Sequence, residues 1–153
     1  MKKRLIVSIL VVISLFMVVG CNSNNKSSEK DNNIIENGSN EVISSMKITI
    51  NGKQYTGQLE DNETVKSFVN LLPQEFNMSE LNGNEKYIYL DITLPTNSFN
   101  PKHINSGDVM LYGNNCLVIF YKSFDTSYSY TKIGHIDNLD NLGNGSITAK
   151  FEK

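Results

Sequence analysis

The apolar pattern of the chain predicts a mostly β protein: a small closed β-barrel of about eight strands with one main α-helix. Three observations lead there. Apolar and polar residues alternate in short runs, as where Met46, Ile48 and Ile50 interleave with Lys47, Thr49 and Asn51. Turn pairs punctuate these runs at Asn51-Gly52, Asn82-Gly83 and Gly113-Asn114, and such pairs readily take the positive φ of tight hairpins. Val65, Phe68, Val69 and Leu72 alone make a strong helical stripe, at i, i+3, i+4 and i+7;. Closure is expected because it removes the unpaired edges that an open sheet exposes.

The elements follow in order. Met46 to Asn51 is a half-buried strand, and Lys53 to Leu59 returns from the Asn51-Gly52 turn with Tyr55, Gly57 and Leu59 on one face. Asp61 or Asn62 caps the helix, Glu63 favours its first turn, and Pro73 stops it. Glu75 to Leu81 and Lys86 to Leu90 are strands around Asn82-Gly83-Asn84. Leu94 to Gly107, with Pro95 and Pro101, is a long ordered loop or a lid. Asp108 to Tyr112 and Asn115 to Lys122 form a hairpin, Ser127 to Ile136 is a further strand, and Ile147 to Phe151 closes the domain. Asn138 to Leu142 is expected to form a short helical turn.

Upstream of this domain the chain has a different character. Lys2, Lys3 and Arg4 precede an apolar run from Leu5 to Val19, which closes on Val18-Val19-Gly20-Cys21. That layout reads as an export signal, since the run falls short of the roughly 20 residues that span a bilayer core. The final tetrapeptide resembles a bacterial lipobox. The resemblance implies residues 1–20 as a lipoprotein signal peptide and Cys21 as the lipidated first residue of the mature chain, carrying acyl groups such as palmitate. Residues 21–45 are then a polar, flexible linker, spanning roughly 25–30 Å as a coil, and 46–153 the folded domain. The expected location is the extracytoplasmic face of the cell membrane, lipid-anchored, with the membrane as partner through the N-terminal lipid.

Charge narrows the function classes. The formal net charge is −2, and without Lys2, Lys3 and Arg4 it is −5. Such a chain lacks the basic surface that nucleic acid binding requires. With Cys21 acylated, Cys116 has no disulfide partner, and it sits in an apolar strand as a small core residue. His103 and His135 lie apart, and no metal-ligand spacing, nucleotide loop or nucleophile elbow occurs, so no metal or cofactor is expected.

Four stretches carry a family resemblance: Met46-Lys-Ile-Thr-Ile-Asn-Gly-Lys53, Glu80-Leu-Asn-Gly-Asn-Glu-Lys-Tyr87, Ser106 to Tyr121, and Thr126 to Gly134. In this order they resemble the bacterial cyclophilin-like domain family, over about Met46 to Lys153. The resemblance implies a compact eight-stranded barrel. It does not carry over prolyl isomerisation, because cyclophilin proper relies on an arginine whose planar fork binds around the twisting amide. Arg4 is the only arginine here, and lysine cannot copy that fork.

The tyrosines remain as candidate binding residues. Tyr87 and Tyr89 share one strand face, Tyr112 and Tyr121 bracket a hairpin with Phe120 between, and Tyr128 and Tyr130 share another face. Aromatics favour strands for packing alone, but Tyr87, Tyr89, Tyr112, Phe120, Tyr128 and Tyr130 also suit a pocket for a small molecule or an exported peptide segment. Glu85 and Asp108 are candidate polar anchors, able to act as an acid pair if they converge across that pocket. The expectation is a membrane-tethered binding domain without isomerase activity, the alternative being an extracytoplasmic prolyl isomerase or folding factor.

Overall fold

The structure is a computed structural model that describes residues 43–153. The expected signal peptide, Cys21 and the expected linker up to residue 42 lie outside the described residues. The strands are β1 (Ser45–Ile50), β2 (Lys53–Leu59), β3 (Gln74–Leu81), β4 (Glu85–Tyr89), β5 (His103–Ile104), β6 (Asp108–Tyr112), β7 (Cys116–Phe120), β8 (Phe124–Asp125), β9 (Thr131–Ile136) and β10 (Ile147–Glu152), with one helix, α1 (Glu63–Val69).

Eight of the strands close an antiparallel barrel in the order β1-β10-β3-β4-β7-β6-β9-β2. Around this ring β1 faces β7 and β10 faces β6. The first hairpin turns on Asn51 and Gly52 at φ 48° and 85°, the double left-handed geometry of a tight type I′ turn;. The ring is sealed where β2 meets β9, with Leu59 opposite Gly134. The backbones approach so closely there that a Cβ on Gly134 would lie 2.1 Å from the Gln58 carbonyl oxygen.

Alternation sends Met46, Ile48 and Ile50 inward to meet Val109, Leu111, Leu117, Ile119, Ile133, Ala149 and Phe151 in the barrel core. The helix adds Val65, Phe68 and Val69 to that core, and the Phe68 ring meets Phe151 edge-on at 5.5 Å. Asn62 is the N-cap: its side-chain oxygen accepts from Val65 N–H at 2.9 Å, and its amide donates to the Lys132 carbonyl at 2.9 Å.

A second apolar cluster lies on the outer face of the barrel. It holds Ile104, Met110, Cys116, Val118, Phe120 and Tyr130. Strand β7 is consequently buried on both faces, with every residue covered. The β5–β8 ribbon and the 94–107 segment cover this cluster. Thr126 N–H donates to the Lys102 carbonyl, Phe99 and Tyr130 exchange backbone bonds at 2.9 Å, and Asn100 donates to the Ser127 carbonyl.

Two expectations need correction. The predicted strand from Ser127 begins only at Thr131, and Ser127 to Ser129 is irregular, tied in by the single Tyr130–Phe99 bridge. Period-two spacing of Tyr128 and Tyr130 mimics a strand, yet Tyr128 is exposed and Tyr130 buried. Asn138 to Leu142 forms no helical turn; Asn138 takes φ 52° in a turn with Asp137, and Leu139 to Leu142 is irregular.

Candidate functional site

The outer face of β4, β7 and β6 is organised in rows. Tyr89 pairs with Cys116, which pairs with Tyr112 on the other side. Tyr87 pairs with Val118, which pairs with Met110. Glu85 pairs with Phe120. Strand pairing thus brings together residues that are distant in sequence. Tyr128 and Tyr130 arrive from the irregular segment before β9 and form the opposite wall.

Between them lies a groove of about 280 Å³, lined from β4 by Glu85, Tyr87 and Tyr89, by Leu81 at the end of β3 and Asn82 in the turn after it, from the β6–β7 hairpin by Tyr112, Cys116 and Val118, and by Tyr128 and Tyr130. The rings meet at steep angles. Tyr87 and Tyr89 are 5.9 Å apart at 82°, Tyr112 and Tyr128 6.1 Å apart at 87°, and Tyr112 and Tyr130 5.6 Å apart at 52°. Such edge-to-face contacts add to the burial energy of each ring and fix its orientation.

Not every predicted site residue belongs to the groove. Phe120 is fully buried beneath it, with Tyr130 edge-on at 5.5 Å and Phe124 at 5.6 Å, so it is a support and not a wall. Asp108 is buried elsewhere on the outer face. Its carboxylate accepts from Asn105 N–H at 2.8 Å and lies 3.2 Å from His135 Nδ1, so it fastens the loop before β6 and does not converge with Glu85. The 94–107 segment contributes no lining residue. It is an ordered loop that buttresses Tyr130. His103 pairs with Asp125 across the β5–β8 ribbon at 2.7 Å.

Tyr121 also stands apart. Its hydroxyl donates to Glu80 at 2.8 Å, while the Lys86 ammonium lies 4.7 Å from its ring centre. Lys86 is fully buried. It donates to the Gly143 and Gly145 carbonyls at 2.6 and 2.7 Å and forms an ion pair with Glu80. Sequence reasoning missed this knot, as it missed Cys116 and Val118 in the groove. Their only signal was position in alternating strands, and that becomes informative only once the strand order is known.

Burial sets the titration of the groove. It raises the Glu85 carboxyl above its usual range, with the Glu80 charge adding to the rise and an Asn82 hydrogen bond opposing it. Burial likewise raises the Cys116 thiol, and the charge of Glu85 raises it further. A thiol so placed stays protonated at neutral pH and is a poor nucleophile. Tyr130 is raised by burial, against a Thr126 hydrogen bond that lowers it. Among the described residues no group of three or more His, Cys, Asp or Glu side chains is arranged to hold a metal ion.

A shallower depression lies along β1 and β2, lined by Lys47, Lys53, Gln54, Tyr55, Thr56, Asp137 and Asn138. Its two lysines pair with Glu152 and Asp140, which leaves it no unanswered basic charge.

The model of the cyclophilin-like family matches residues 48–152 of the chain. No curated protein and no solved structure matches it.

Proposed function

The chain belongs to the cyclophilin-like family, and from that premise we propose that its barrel is a recognition module without isomerase activity. The groove holds a small molecule or a segment of exported peptide. The observation that carries this reading is where the apolar surface lies. Of the six large hydrophobic side chains left exposed among the described residues, Leu81, Tyr89, Tyr112 and Tyr128 all line the groove. Exposed apolar surface gathered in one concavity, with polar hydroxyls at its rim, is what a binding site needs. Chemistry is less well served. No described residue is an arginine, and the groove thiol stays protonated.

The test measures ligand affinity and turnover together. Tyr87→Ala with Tyr130→Ala should abolish saturable binding of any groove ligand, with the far-ultraviolet dichroism of the barrel retained. A coupled assay on Ala-Pro peptides should show no rate above the uncatalysed exchange. Brisk turnover would establish the alternative, an extracytoplasmic prolyl isomerase.

The same proposal places the domain on the extracytoplasmic face of a membrane, held by lipid on Cys21. Its support is the charged, apolar and small-residue order of Met1 to Cys21. Cys21→Ala should abolish incorporation of labelled palmitate and leave the leader uncleaved. Unchanged labelling would end the lipoprotein reading.

A further inference from the structure

Resting on the groove reading above, we infer that the ligand presents an organic ammonium group, boxed by the tyrosine rings and neutralised by the Glu85 carboxylate. The first support is charge. No Lys, Arg or His lines the groove; its titratable side chains are Glu85, Cys116 and the tyrosines, all of them acids. Every anionic charge that can form there is therefore unopposed within the cavity.

The second support is Glu85 itself. It is half-buried on the outward face of β4, between the groove and buried Phe120. Glu80 has Lys86 as ionic partner, Glu60 has Lys132, Glu152 has Lys47 and Asp140 has Lys53, while Glu75, Asp91 and Asp137, which have no ionic partner among the described residues, are all exposed to water. Glu85 forms no salt bridge among the described residues. A carboxylate withdrawn from water without a cation costs free energy that an entering cation returns. Its raised titration reports that deficit.

The third support is ring geometry. Tyr112 stands nearly perpendicular to Tyr128 and tilted against Tyr130, and Tyr87 stands nearly perpendicular to Tyr89. Neighbouring rings at steep angles give the groove aromatic walls of more than one orientation. Ring faces carry the negative end of the quadrupole and attract ammonium groups, most strongly when water is excluded. A volume of about 280 Å³ admits a small alkylated amine. Alkylated ammonium suits the site better than a bare metal ion, which would have to shed its own hydration shell for a lining with one carboxylate;.

The experiment titrates the full chain in detergent micelles with benzyltrimethylammonium, its uncharged carbon isostere neopentylbenzene, N-acetyl-lysine amide and a neutral Ala-Pro peptide. Tyrosine fluorescence reads the groove, since the chain has no tryptophan. The expected result is saturable binding of the quaternary ammonium, about tenfold or more tighter than its isostere. Glu85→Gln should remove most of that preference; Tyr112→Phe should keep it and Tyr112→Leu lose it. Preference for N-acetyl-lysine amide over benzyltrimethylammonium would assign the ammonium to a peptide side chain, and the reverse to a free amine. If the isostere or the neutral peptide binds as well as either cation, the groove reading stands and the ammonium inference falls. If no probe perturbs the tyrosines, both fall. The comparison of cation with isostere needs no variant and so survives any folding defect.

Discussion

Lys86 occupies a position where the alternation of β4 sends a side chain inward, among residues that are otherwise apolar. Its charge is tolerated there because Glu80 and two glycine carbonyls surround the ammonium. Lys86→Met should cost about 3 kcal/mol in urea unfolding, because it strands Glu80 and leaves both carbonyls unanswered; adding Glu80→Gln should recover part of the loss. The same cluster contributes to the pH limits. Burial alone would raise Glu80, but hydrogen bonds from Lys86 and Tyr121 with the Lys86 charge outweigh it and hold the carboxyl below its ordinary value of 4.5. Stability from Glu80 is therefore complete above pH 4.5 and lost as pH falls through the lower folded value;. Tyr121 is pushed from 10.0 to about 12, chiefly by burial and then by Glu80. Its contribution is complete below pH 10 and lost as pH climbs towards 12;. Thermal melts across pH should show both limbs, and Tyr121→Phe should shrink the alkaline one, whose remainder comes from the other groups that the fold raises, Cys116, Tyr55 and Tyr130;.

At the level of elements, the tightest constraint is the seam between β2 and β9. Gly134 allows the two backbones to meet, and Ala there drives a methyl into the Gln58 carbonyl. Gly134→Ala should cost about 1–3 kcal/mol or more, with faster exchange of the β2 and β9 amides than of those in β4 and β7. Much of the element order was legible in the sequence because its signals are local. Asn51-Gly52 names its own turn, and the Val65 to Leu72 stripe with Asn62 before it names the helix. The segment from Ser127 misled because two tyrosines spaced by one residue carry a strand's period without a strand's partner. The predicted hairpin already set Tyr112 beside Cys116, but the pairing of Tyr89 with Cys116 was invisible for the converse reason. It depends on β4 lying beside β7, and that order is a property of the closed ring, not of any local stretch.

Across the whole molecule, barrel core and groove share one strand. Leu117 and Ile119 of β7 serve the interior, while Cys116, Val118 and Phe120 serve the outer cluster. Binding and stability are thereby linked. Phe120→Ala should cost about 3–5 kcal/mol in global unfolding and also weaken groove binding, since it removes the support under Tyr130. Conversely, a groove ligand at one hundred times its Kd should stabilise the domain by about 2.7 kcal/mol, visible as a rise in Tm. A rise in Tm with unchanged tyrosine fluorescence would mean that the ligand sits elsewhere.

The ring order also has a practical consequence. The C-terminal strand β10 stands across the barrel from β6, so a tag appended after Lys153 emerges from a strand on the far wall. A biosensor surface that grips such a tag would hold each molecule from behind, with its tyrosine face turned towards the flowing analyte.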